Sequence, residues 1–213
     1  MKNTTFVTGE FYHIYNRGVD KRNVFSDATD LDRFLKSTVE FNVVEPVGSL
    51  FELSFVKENK KKPNKRLVDM VCYCLNPNHY HFVLRQKIDG GISEYMKRLG
   101  GYTKYFNIRY KRSGALFQSV FQSSYIDSNN YLLRASAYVN LNNRVHQLGR
   151  ETSKCRSSWA EYMGSVPAEL CEKNIILKQF KNVREYKIFA EEALDDILEN
   201  KQRSKELANL LLE

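Results

Sequence analysis

Apolar and polar positions alternate along 10-EFYHIYNR-17, the two-residue period of a half-buried strand. The turn and loop 18-GVDKRNVFSD-27 follow, and the period changes. Leu31, Phe34, Leu35, Thr38 and Phe41 recur every three or four residues, which predicts a helix over 31–44 with Asp30 as its N-cap. Alternation returns in 48-GSLFELSFVKE-58 and in 66-RLVDMVCYCL-75. These read as two paired strands joined by the polar, Pro-containing connector 57-KENKKKPNKR-66. The turn 76-NPN-78 leads into a further strand, His79 to Arg85. Residues 92–112 place Tyr95, Leu99, Tyr102 and Phe106 on one helical stripe, with a kink at Gly100-Gly101. A strand is predicted in 115-ALFQSVFQSSYI-126, then a helix over 128–143 opened by Asp127 or Ser128. Beyond Gly149 the pattern loosens until a helical tail over roughly 174–213.

That order predicts an α+β fold, with an antiparallel four- or five-stranded sheet flanked by helices. Residues 1–150 form the expected domain and 151–213 a mostly helical C-terminal extension.

Charge narrows the partners. Lys and Arg total 33 against 25 Asp and Glu, a net charge of +8 with a pI near 9.2. A basic surface favours polyanions, nucleic acid first and acidic membrane surfaces second. No apolar run is long enough to span a membrane, and the N-terminus lacks the apolar core of an export signal. The expectation is a cytoplasmic, nucleoid-associated protein with reduced cysteines.

The chemistry concentrates in 76-NPNHYHFVLR-85. Side chains alternate across a strand, so His79 and His81 share a face and Tyr80 points the other way. Their Cβ atoms are about 6.5–7 Å apart, a gap that two imidazoles leaning together can close on one ion. The ordinary alternative is a polar pair without a ligand. Two completions are open. Cys72 and Cys74 share a face of the preceding strand and would make a structural Cys₂His₂ zinc site, although buried core thiols are the simpler reading. Tyr138 and Asn142 stand four apart on a helix and would bring a phenol and an amide oxygen. They also suit a core aromatic and a helix-terminal amide. His13 is either buried beside the site or simply packed.

Four blocks together resemble a family: 12-YHIYNRG-18 with 24-VFSDATDLDRFL-35, then 74-CLNPNHYHFVL-84, 96-MKRLGGYTKYFNIRYKRSGALFQ-118 and 131-YLLRASAYVNLNNRV-145. They are similar to the REP-associated tyrosine transposases, within the IS200-like transposases of the HUH endonuclease superfamily, across about residues 10–150. The resemblance implies an HUH-type, ferredoxin-like palm. It implies His79, His81 and Asn142 as ligands of Mg²⁺ or Mn²⁺, and Tyr138 as the nucleophile that forms a 5′-phosphotyrosine link to single-stranded DNA. The substrate it implies is a DNA hairpin, and relatives act as monomers or homodimers. The chain departs from the family at Val120, where Arg is frequent, and at Asn143, where Pro commonly follows the Asn. A non-catalytic hairpin-binding protein derived from a transposase is the alternative function.

For the nucleic acid itself, Lys60, Lys61 and Lys62 of the basic connector are candidate phosphate contacts. Lys97, Arg98, Lys104, Arg109, Lys111 and Arg112, interleaved with Tyr105, suit charge plus stacking on single strands. Asn16 and Arg17 are candidates for the same groove.

Overall fold

The alternating segment Phe11–Arg17 (β1) buries every second side chain, as its period requires. The computed structural model describes residues 5–54, 65–146, 155–167 and 170–210. Within them, β1 is followed by helices Ala28–Glu40 (α1) and Leu50–Ser54 (α2). Strands Val68–Asn76 (β2) and His79–Gln86 (β3) form the hairpin predicted around 76-NPN-78. Helices Gly91–Leu99 (α3) and Tyr102–Arg109 (α4) come next, then strand Gln122–Ile126 (β4) and helices Asn129–Asn140 (α5) and Asn142–Val145 (α6). The short strand Arg156–Ser157 (β5) and helices Trp159–Tyr162 (α7), Asn174–Leu177 (α8) and Val183–Leu210 (α9) complete the order.

The five strands form one antiparallel sheet in the order β4-β1-β3-β2-β5. The fold is therefore α+β, an antiparallel five-stranded open sheet flanked by helices. Every residue of β2 is buried, because helices cover both faces of the sheet there. On one face Phe34 of α1 packs against Tyr80 and Phe82, and Tyr102 of α4 packs against Phe34. On the other, α5 lies across β2 and β3, with α9 packed on α5. Residues after 155 are built into this layer. Ser158 Oγ donates to Asn140 Oδ1 at 2.6 Å, and Asn140 Nδ2 donates to the Tyr186 hydroxyl at 2.9 Å.

Three expectations change. The predicted strand at 48–58 is helical where described, at Leu50–Ser54, so the partners of β2 are β3 and β5. Alternation there came from a single turn of helix with one apolar side, too short to tell the two periods apart. Asp27, not Asp30, caps α1 by accepting from Asp30 N at 3.0 Å. The predicted helix 92–112 divides at Gly100-Gly101 into α3 and α4, the expected kink made complete. Ser128 opens α5, accepting from Tyr131 N at 3.3 Å.

Candidate functional site

Antiparallel register puts His79 opposite Arg17, and His81 opposite Tyr15, with His13 one pair further along. Cys74 and Asn76 on β2 are the partners of His81 and His79 on the other side. Paired residues share a face, so these side chains lie on the side that α5 covers. Tyr80 points to the opposite face, against Phe34, Phe82 and Phe117.

All four histidines of the chain meet here. The rings of His13 and His81 are 5.1 Å apart and nearly parallel, His79 and His81 5.2 Å apart and perpendicular, and His79 and His146 4.6 Å apart. His13, undecided from sequence, has its Nε2 2.8 Å from His81 Nδ1. Tyr138 of α5 presents its ring edge-on to both, 5.5 Å from His81 and 5.9 Å from His13.

The helix that carries Tyr138 ends at Asn140, and Leu141 leaves helical geometry before α6 begins at Asn142. Asn142 is fully buried, and its Oδ1 lies 3.1 Å from His79 Nε2. Asn76 Nδ2 reaches both, 2.8 Å from Asn142 Oδ1 and 2.9 Å from His79 Nε2. On the other side of the His79 ring, Nδ1 lies 2.5 Å from Asn78 Oδ1. An amide oxygen only accepts, so Nδ1 carries the proton and Nε2 accepts from Asn76 Nδ2 at 2.9 Å. Asn78 is itself held, since its Nδ2 donates to Lys21 O at 3.0 Å. Lys21 and Asp20 both adopt positive φ in the turn Val19–Lys21. A Cβ on Gly18 would collide with the Arg22 carbonyl, so glycine is required at the start of that turn.

Electrostatics keep the cluster neutral. Burial holds His13 and His79 down at about 4, and the charge of Arg17 adds to the effect on His79 while Asn142 opposes it. Burial pushes His81 well below its ordinary value, with the other imidazoles adding to the effect. His146 is lowered by burial and by Lys201 and Arg17. Neutral imidazoles are the form that binds cations. Burial raises the Tyr138 phenol, and Asn142 draws it partway back. Two polar atoms here are buried without a hydrogen-bond partner among the described residues, Asn142 Nδ2 and Arg17 Nε.

Among the described residues no three His, Cys, Asp or Glu side chains are arranged to hold an ion. Cys72 and Cys74 are core thiols, Cys74 pushed up to about 12 by burial and facing Asn76 Oδ1 at 3.6 Å. His79 Nε2, His81 and the amide oxygen of Asn142 are the donors this face brings together.

The expected nucleic-acid contacts scatter. Asn16 is buried on the far face, donating to the carbonyls of Ser119 and Val120 at 2.8 and 2.9 Å. Arg98 binds Glu94 and the carbonyls of Phe41 and Val43 beyond the end of α1. Arg109 is paired with Asp27 and Asp30, and Tyr105 approaches the same cluster. Arg112 binds Asn107 and the Ala115 carbonyl. Lys97, Lys104 and Lys111 are exposed, in or beside the helices opposite the histidines. Among the described members of this group, only Arg17 stands beside the cluster. Lys60, Lys61 and Lys62 lie outside the described residues. Val120 is 75 % exposed on the loop before β4.

Sequence reasoning missed His146, Asn76 and Asn78. The available signal was the small number of histidines: with four in the chain and two in one strand, the others were candidates for the same place.

The chain matches a solved structure of a REP-associated tyrosine transposase bound to a REP hairpin, with a TM-score of 0.51 over 80 % of this chain and 88 % of that one. At 9 % identity, the likeness is one of fold. No family model and no curated protein matches the chain. No described helix is long and apolar enough to cross a membrane.

Proposed function

We propose that this protein is a metal-dependent single-stranded DNA endonuclease and strand transferase acting on hairpin DNA through a phosphotyrosine link. The observation that carries the reading is the meeting of Tyr138 with His81, His79 and Asn142 on one sheet face. A phenol beside a neutral imidazole pair and an amide oxygen is the minimum needed to attack a phosphodiester near a cation. The solved neighbour, a transposase bound to a REP hairpin, adds support for the substrate class.

In this reading His79, His81 and Asn142 hold Mg²⁺ or Mn²⁺. The ion, when bound, offsets negative charge on the scissile phosphate oxygens. Tyr138 supplies the attacking oxygen. Its Oη–P bond forms as the P–O3′ bond breaks. The phenol gives up its proton and the departing 3′ oxygen gains one, so no external energy source is consumed and the 5′-phosphotyrosine keeps the ester energy for rejoining. Burial disfavours the free phenolate, so Tyr138 rests as the neutral phenol; an ion held by His79, His81 and Asn142 would supply Lewis-acid charge beside it. Arg17 places a fixed positive charge beside the site for the incoming phosphate.

The test is a covalent adduct. The protein is incubated with Mn²⁺ and a library of single-stranded hairpins whose flanking bases are randomised, then run on a denaturing gel. A protein–DNA band is expected, mapped to Tyr138 by mass spectrometry and absent in Tyr138→Phe. No band across the library, or a band that survives Tyr138→Phe, overturns the proposal.

A further inference from the structure

Asn76 is fully buried, and its Nδ2 stands at one corner of a triangle with His79 Nε2 and Asn142 Oδ1. The edges are 2.9, 2.8 and 3.1 Å. The corners on His79 and Asn142 are both acceptors, and their lone pairs face each other across the longest edge. Something positive must sit between them, and the two N–H bonds of the Asn76 amide do so.

The dimensions of that triangle point to a ligand set. Six-coordinate ions with bonds of 2.0–2.1 Å place neighbouring ligand atoms roughly 2.8–3.0 Å apart. Four-coordinate zinc with similar bonds spreads them to roughly 3.3–3.4 Å. The two edges to Asn76 fall within the octahedral range and the His79–Asn142 edge, at 3.1 Å, lies closer to it than to the tetrahedral one; the corner on Asn76 is an amide nitrogen, which repels a cation. A half-turn of the Asn76 carboxamide about its last torsion removes the mismatch, because it exchanges the oxygen and nitrogen without moving the group. The partner on the far side tolerates the exchange. Cys74 Sγ, now 3.6 Å from Asn76 Oδ1, is a weak donor and a weak acceptor.

We propose that Asn76 is a protein ligand of the divalent cation, bound through its Oδ1 once the carboxamide has turned. This rests on the metal site of the proposed function and adds a second hard oxygen to it. The Asn76 amide bonds to both His79 and Asn142 and so keeps them converged. With the ion bound, its carbonyl oxygen favours Mg²⁺ or Mn²⁺ over zinc.

The experiment measures Mn²⁺ binding to the full chain without DNA, by the loss of the free Mn²⁺ electron paramagnetic resonance signal. Wild type is compared with Asn76→Leu, Asn76→Asp and His79→Ala. Asn76→Leu, which keeps the volume and lacks the oxygen, is expected to weaken binding about tenfold or more. Asn76→Asp, with a carboxylate at that corner, is expected to tighten it. If His79→Ala loses Mn²⁺ while both Asn76 variants bind as wild type does, Asn76 is not a ligand and the metal site stands without it. If His79→Ala also binds normally, the metal site itself is wrong. Should Asn76→Leu fail to fold, Asn76→Asp decides alone, since equal or weaker binding overturns the assignment.

Discussion

His13 Nε2 lies 2.8 Å from His81 Nδ1, and only one of the two nitrogens can hold the proton between them. If His81 offers Nε2 to a cation, its Nδ1 is the donor and His13 the acceptor. His13 then fixes the tautomer and the ring plane of a ligand it never replaces.

His13→Leu removes that acceptor from a buried position. Mn²⁺ affinity in the absence of DNA is expected to fall about 10- to 100-fold, with adduct formation falling in step. His13→Gln, whose side-chain oxygen still accepts, is expected to recover part of both. Unchanged Mn²⁺ affinity in His13→Leu would show that the contact is packing only.

Arg17 is a cation at the end of β1 whose Nε is buried without a partner among the described residues, and its charge is felt by His79 and His146. A guanidinium left in that condition is suited to an incoming phosphate. Arg17→Ala is expected to weaken hairpin-DNA binding and to lower the slope of log affinity against log salt by about 1. Filter binding across a salt series measures both. An unchanged slope would remove Arg17 from the interface.

Protonation of the histidine cluster links stability to pH. In the folded chain His13 and His79 are held at about 4, against 6.5 for the ordinary side chain. Between those values the unfolded chain binds more protons than the folded one, so stability rises with pH there. The contribution is fully present above about pH 6.5 and is lost as pH falls toward 4. Each group adds up to about 1.4 kcal/mol per pH unit in that window. Urea unfolding in EDTA should therefore show a midpoint that drops between pH 7 and pH 5, and His13→Gln should flatten the drop. A midpoint constant across that range would mean that the imidazoles are not buried neutral.

Much of the sheet was legible because β1, β2 and β3 carry patterns long enough to fix their period. The His79–His81 face followed directly from alternation, and so did the opposite orientation of Tyr80. Leu50–Ser54 was not legible, since five residues do not separate a strand from a turn of helix. The convergence at the site depended on register, which a single sequence does not state. Whether His13 meets His81, or His146 reaches His79, is decided by strand pairing and by the break at Leu141. The partners of the basic residues were hidden for a related reason. Periodicity locates Arg98 and Arg109 on helices, but it does not show that backbone carbonyls and a buried carboxylate are waiting for them.

Arg109 illustrates that last point and can be tested. Asp30 is fully buried one turn into α1. Its Oδ1 accepts from Arg109 Nη1 at 2.6 Å, while its Oδ2 accepts from Ser26 N and the Tyr110 hydroxyl, each at 2.8 Å. Arg109 also reaches Asp27 Oδ2 at 2.7 Å, so one guanidinium ties the start of α1 to the end of α4. Removing it leaves a buried carboxylate without its counter-charge. The Arg109 side chain keeps 30 % exposure, and Asp30 retains three other donors, Ser26 N and the hydroxyls of Tyr110 and Tyr105. The loss should therefore fall below that of a fully buried pair, at about 2–3 kcal/mol. Arg109→Ala is expected to lower the melting temperature while hairpin affinity, measured well below melting, stays unchanged. Adding Asp30→Asn should restore part of the stability, because the uncompensated charge is gone. If Arg109→Ala instead melts like wild type and loses DNA affinity, the arginine faces the nucleic acid and the ion pair is incidental.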